Sequence, residues 1–142
     1  MSNFFITASR KLVVLLSMFF AVTLLTACSQ SPESVAYEHA MALINGRWDK
    51  AFEYVSTTGM SDSELMEMKA VLSDEVAMER LKSEIQADLQ RRGGLDSLST
   101  KLVSQTGDVA IVELVTKFKN GEIDTSRSKL LKESGKWRIK GK

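Results

Sequence analysis

Few side chains in this sequence are placed to do chemistry. The single thiol is Cys28, directly after Leu25, Thr26 and Ala27. The single imidazole is His39. Among the carboxylates, Glu113 stands out because it interrupts the apolar stretch Val109 to Val115. A thiol can be alkylated or oxidised, but one thiol closes no disulfide within its own chain. An imidazole can carry protons near neutral pH. A carboxylate serves as a base at pH 7 only where its surroundings raise its affinity for a proton. Each of these chemistries depends on the element that holds the residue.

Cys28 closes a segment of three parts. Met1 to Lys11 is basic through Arg10 and Lys11 and has no acidic residue. Leu12 to Leu25 is an apolar run. A core of roughly 7–15 apolar residues behind a basic flank is a signal peptide, whereas a spanning helix needs about 20. Small Thr26 and Ala27 then precede the cysteine. Leu25, Thr26, Ala27 and Cys28 together resemble a bacterial lipobox. That resemblance implies cleavage between Ala27 and Cys28, a diacylglycerol thioether on the Cys28 sulfur and a further acyl chain, such as palmitate, on the freed amine. Two or more chains, at about 0.8 kcal/mol per buried methylene, hold a protein stably on a membrane. The implied location is the bacterial cell membrane. Ser29 in place of aspartate favours the outer membrane if the host is diderm.

The organisation expected is therefore a signal peptide over 1–27, a lipidated cysteine and short tether over 28–32, and one domain over 33–142. All 18 acidic residues follow Ala27, as do 17 of the 19 basic ones, for a formal charge of −1. That balance argues against nucleic acid as a partner, which selects a basic domain. The tether is short enough to keep the domain near the bilayer.

Helical signals come first. Ser31 and Pro32 predict a helix start, and the helix runs to Asn45 with Gly46 as its stop. A short helix follows over Trp48 to Val55. Ser61 and Glu64 predict a capping box for a helix reaching Leu72. Ser73 or Asp74 restarts a longer helix with Val76, Leu81, Ile85 and Leu89 at its apolar positions, ending at Arg91-Arg92-Gly93-Gly94. Met60, Met66, Met68 and Met78 cluster here and read as soft core or helix contact. From Leu95 the period changes. Strands are predicted over Leu95–Ser104, Val109–Lys119, Ile123–Lys132 and Trp137–Lys140. Asn120-Gly121 predicts a type I′ hairpin turn. The fold class expected is α+β: N-terminal helices on one face of a curved four-stranded antiparallel sheet in meander order.

Two segments carry a family likeness. Asn45-Gly46-Arg47-Trp48-Asp49-Lys50-Ala51, after the first helix, and Glu133-Ser134-Gly135-Lys136-Trp137-Arg138-Ile139, at the end of the sheet, resemble small bacterial lipoproteins of the nuclear-transport-factor-two-like superfamily. Their cystatin-like, lumazine-binding-like domain has no known function. The resemblance implies a cone between sheet and helices. In physical terms Trp48 should swing into the core between two helices and Trp137 should close the sheet against them, each truncation to alanine costing about 3–5 kcal/mol.

Three functions are then open: a non-catalytic interaction module for an envelope protein or small ligand, a carrier of a small apolar ligand, and an isomerase- or dehydratase-like enzyme working in the cone. The residues favour the first. His39 lies beside the Ala36-Ala40-Leu43 face and reads as a surface histidine; Glu113 reads as a rim carboxylate, and Tyr37 and Tyr54 as packing. No metal-ligand spacing, phosphate loop or nucleophile–base motif is present, so no catalytic residue, metal or cofactor is assigned. The charges from Lys129 to Lys142 read as a solvated edge, with phospholipid headgroups the alternative contact. The two-sided apolar start of Val109 to Val115 permits a homodimer through the sheet.

Overall fold

The computed structural model describes residues 30–141. The expected signal peptide and the expected lipobox, Leu25, Thr26, Ala27 and Cys28, lie outside the described residues.

Helix α1 spans Pro32–Ile44. Ser31 caps it in extended conformation, its hydroxyl accepting from the Ser34 N–H at 3.1 Å, and Pro32 occupies the first turn, where its missing donor costs nothing. Val35, Ala36 and Ala42 are buried on its inner side. Small residues there let the helix axis approach the sheet closely. Gly46 ends the segment at φ +64°, and a Cβ there would sit 3.0 Å from the Lys82 side chain.

Helix α2 follows over Trp48–Glu53, and β1 is two residues, Val55–Ser56. Helix α3 spans Asp62–Ser73 and opens on the expected capping box: the Ser61 hydroxyl accepts from the Glu64 N–H at 3.3 Å, and Glu64 accepts from the Ser61 N–H at 2.7 Å. Helix α4 spans Glu75–Arg91, and its cap Asp74 accepts from the Val76 and Ala77 N–H groups. No residue of α3 or α4 is fully buried. The pair forms an arm against the body rather than a layer of it.

Strands β2 (Leu95–Thr106), β3 (Val109–Phe118), β4 (Ile123–Glu133) and β5 (Lys136–Lys140) form an antiparallel meander. The sheet is five-stranded rather than four-stranded, in the order β1-β5-β4-β3-β2. The added strand β1 runs parallel to β5, Val55 opposite Ile139, and the Ile139 N–H reaches the Tyr54 carbonyl at 2.7 Å. A two-residue strand has no periodicity of its own, so only its partner reveals it.

The turns also differ from expectation. Asn120-Gly121 does not form a type I′ turn, because only Gly121 has positive φ there (+92°) and the Gly121 N–H closes back on the Phe118 carbonyl. The type I′ signature, two successive left-handed residues, belongs to Ser134 (φ 49°) and Gly135 (φ 78°), between the paired Glu133 and Lys136.

The core joins Val35 and Ala36 of α1 to Ala110, Val112 and Leu114 of β3, Leu130 of β4, and Trp137 and Ile139 of β5. Ala40, Tyr54 and Leu102 pack around it.

Candidate functional site

The residues most able to act as acid or base are kept apart. Glu113 is on β3, between Val112, which is fully buried, and Leu114, nearly so. Side chains alternate along a strand, so Glu113 projects from the face opposite α1. There the register sets it between Lys101 on β2 and Arg127 on β4. Arg127 donates through Nε and Nη2 to Glu113 Oε2 at 3.2 and 3.1 Å. His39 lies on α1, on the other side of the sheet. Partial burial pushes its imidazole below the ordinary value, so it is neutral at pH 7. It joins none of the ion pairs among the described residues.

The two tryptophans part in the same way. Trp137 is buried beneath α1, as expected. Trp48 is not: it is half-buried and walls a hollow with Gly46, Glu75, Met78 and Lys82 between α2 and α4. The physical reason is that α4 stands off from the body, leaving no second helix to close over the indole. The methionines follow suit. Met66 is 74% exposed, and Met60 and Met68 border a hollow beside Ser56 and Lys140. Neither these three nor Met78 belongs to the core. Tyr54 packs on the core, while Tyr37 is exposed.

One hollow has mainly apolar walls. It measures about 400 Å³ and lies between Leu43 and Ile44 of α1, Leu81, Ile85 and Leu89 of α4, and Phe118 of β3. Its floor end is clamped by Arg92, which stacks 4.5 Å over the Phe118 ring and bonds Asp124 at 2.7 Å and Asp88 at 3.1 Å. The Lys119 and Asn120 N–H groups add backbone bonds to the Gly94 and Arg92 carbonyls. The carboxylates Glu84 and Asp88 stand at this hollow's wall.

The face of the sheet away from α1 has a chemistry of its own. Alternation and register put Val109, Ile111, Val115, Ile123 and Leu131 on it, among many cations. Lys101, Lys117, Lys129, Lys136, Arg138 and Lys140 share that face, and none of them takes part in an ion pair among the described residues. The two carboxylates in register there are both engaged. Glu113 holds Arg127, and Glu133 accepts from the buried Ser56 hydroxyl, a bond that draws its carboxyl below the usual value. In the sequence those from Lys129 onward read as an edge. Only strand register shows that they collect on one side.

Among the described residues, no group of three histidine, cysteine or acidic side chains is arranged to hold a metal ion. No described helix is long and apolar enough to cross a membrane.

Comparison with known proteins bears on family and fold. No curated protein matches the sequence. Among solved structures, a protein from Campylobacter jejuni named a putative NTF2-like transpeptidase superposes with a TM-score of 0.63 at 24% identity, over 80% of this chain and 100% of that one. The SEC-C motif containing protein RPA3114 from Rhodopseudomonas palustris gives a TM-score of 0.46 at 18% identity, over 78% of this chain and 76% of that one. The α+β architecture is thus an NTF2-like fold. A family profile described as "Domain of unknown function (DUF4878)" matches residues 26–140. By that match over most of its length, this chain belongs to the DUF4878 family.

Proposed function

We propose that this chain is a lipid-anchored protein of the bacterial cell envelope whose folded domain binds a partner rather than catalysing a reaction. The observation that carries the binding half is the placement of His39 and Glu113 on opposite sides of the sheet. A base and an acid that face no common space cannot share a substrate. The anchoring half rests on the basic flank, apolar run and Leu25-Thr26-Ala27-Cys28 ending. The Ser31 cap begins the fold three residues after Cys28, which keeps the domain against the bilayer. With Ser29 after the cysteine, a diderm host would carry the protein in its outer membrane. Radiolabelled palmitate tests the anchor: the wild-type chain incorporates label and Cys28→Ala does not. Equal labelling of both would remove the lipid from Cys28.

A second reading has its own observation. The apolar hollow between α1, α4 and β3 is large enough for part of an acyl chain, so carriage of a small apolar ligand is the alternative binding mode. Saturable binding of a fluorescent fatty acid, weakened when Ile85→Trp crowds the hollow, would favour it; no saturable binding would exclude it.

A further inference from the structure

The open sheet face and the helical arm are opposite in charge, and α4 of the arm lies on the other side of the sheet from that face. The face carries the six cations named above, which make no ion pair among the described residues, while its two carboxylates are engaged. The arm, α3 with α4 and the cap Asp74 between them, has eight carboxylates against four cations. Each surface also exposes aliphatic groups: Val109 and Ile123 on the face, Met66 and Val76 on the arm. The arm sits on the α1 side, since α4 walls the apolar hollow with Leu43 and Ile44. The sheet lies between α4 and the cationic face, while α3 borders Ser56 and Lys140 at the β1–β5 edge through Glu64 and Met68.

We infer that the cationic sheet face docks against the acidic arm of a second copy of this chain, front to back. Charge selects this arrangement over a symmetric one. Two sheet faces brought together would oppose like charges directly, which disfavours the pairing. Sheet against arm opposes unlike charges and covers the aliphatic groups of both. The contact is heterologous, so it propagates as rows or closes as rings.

The anchor makes the same arrangement geometrically natural, and to this extent the inference rests on the lipid-anchored reading. Val35 and Ala36 share a core cluster with Ala110, Val112, Leu114 and Leu130, whereas Leu43 and Ile44, at the other end of α1, line a hollow with Thr116 and Phe118 near the end of β3. Helix α1 therefore begins at the end of the sheet where β3 begins. Three residues from Cys28 to Ser31 reach at most about 11 Å, so that end of the sheet faces the bilayer. The strands then stand steeply on the membrane. The cationic face and the acidic arm look sideways, in opposite directions within the membrane plane. Copies with the same anchored end can meet front to back without turning over.

The test uses the full chain in its own membranes. Two variants, Lys129→Cys on the face and Glu79→Cys on the arm, are expressed singly and together, and a short bismaleimide is added. Both positions are exposed, so neither change disturbs the core. The expected result is a cross-linked dimer several-fold more abundant in the mixed sample than in either single one. It falls to background at about 1 M salt, where the screening length is about 3 Å. Two results overturn the inference: Lys129→Cys cross-linking with itself as strongly as with Glu79→Cys, or no dimer above the wild-type background. The second would leave the cations to another surface, such as anionic headgroups. Wild-type chain treated with a single maleimide reports on the anchor separately. A Cys28 thioether takes no label, so labelled wild type refutes the anchor and leaves the cross-linking result standing.

Discussion

Arg127 and Glu113 face each other across β3 and β4, the guanidinium donating twice to one carboxylate oxygen on the side of the sheet away from α1. This pairing removes the central carboxylate from any role in the interior. It is also exposed enough to contribute little: Arg127 is 64% accessible, and exposed pairs are worth about 0–1 kcal/mol. Glu113→Gln should therefore leave unfolding by urea within about 0.5 kcal/mol of wild type. A loss of several kcal/mol would mean that the carboxylate supports something buried.

The two tryptophans should separate cleanly. Trp137 packs in the core, so Trp137→Ala should cost about 3–5 kcal/mol in chemical denaturation. Trp48 stands half-buried at a hollow, so Trp48→Ala should cost about 1 kcal/mol or less. Acrylamide quenching adds a check: with Trp137→Phe, emission from Trp48 is readily quenched, and with Trp48→Phe, emission from Trp137 is protected.

Stability should depend on pH in two separate windows. His39 binds its proton less readily folded than unfolded, because burial penalises the charged ring. Its neutral form contributes fully above the unfolded value near 6.5, and stability falls as pH drops through that range. His39→Gln should flatten the loss between about pH 7 and pH 5.5. Glu133, lowered mainly by the Ser56 hydroxyl, acts further down. Its contribution is present above its ordinary value of 4.5 and is lost as pH falls below it. Midpoints of denaturation measured across pH for His39→Gln and Glu133→Gln would separate the two groups.

Arg92 is the fastening of the arm. It joins Asp88 on α4 to Asp124 on β4 and lies over Phe118. Arg92→Ala should loosen the arm, through lost stacking and charge-assisted bonds. Hydrogen exchange should speed up along α4 and α3 while the β3 and β4 amides stay protected, because the arm buries no residue of its own. Uniform acceleration across the sheet would contradict an independently held arm.

What the sequence disclosed followed the range of the interactions involved. Ser31, the Ser61–Glu64 box and Asp74 set helix starts through bonds spanning two or three residues, and these were legible. Val55–Ser56 becomes a strand only by pairing with Ile139 and Lys140, far along the chain, and gave no signal. Asn120-Gly121 has the composition of a type I′ turn, yet the Lys119 and Asn120 N–H groups are taken by carbonyls at the end of α4. Ser134-Gly135 adopts that geometry instead. Trp48 carries no mark telling a core indole from one left at a gap. The free cations were visible singly, but their common face depends on register across four strands. His39 and Glu113 could be placed on a helix and a strand from the sequence, but that they lie on opposite sides of the sheet depends on how α1 packs.

The most direct test is the intact mass of the protein extracted from membranes, wild type beside Cys28→Ala. The account predicts a wild-type chain that begins at Cys28 and carries the added mass of its acyl chains, with no such species from the variant. A wild-type chain retaining Met1 to Ala27, with an unmodified cysteine, would contradict the anchor and with it the placement of the domain in the envelope.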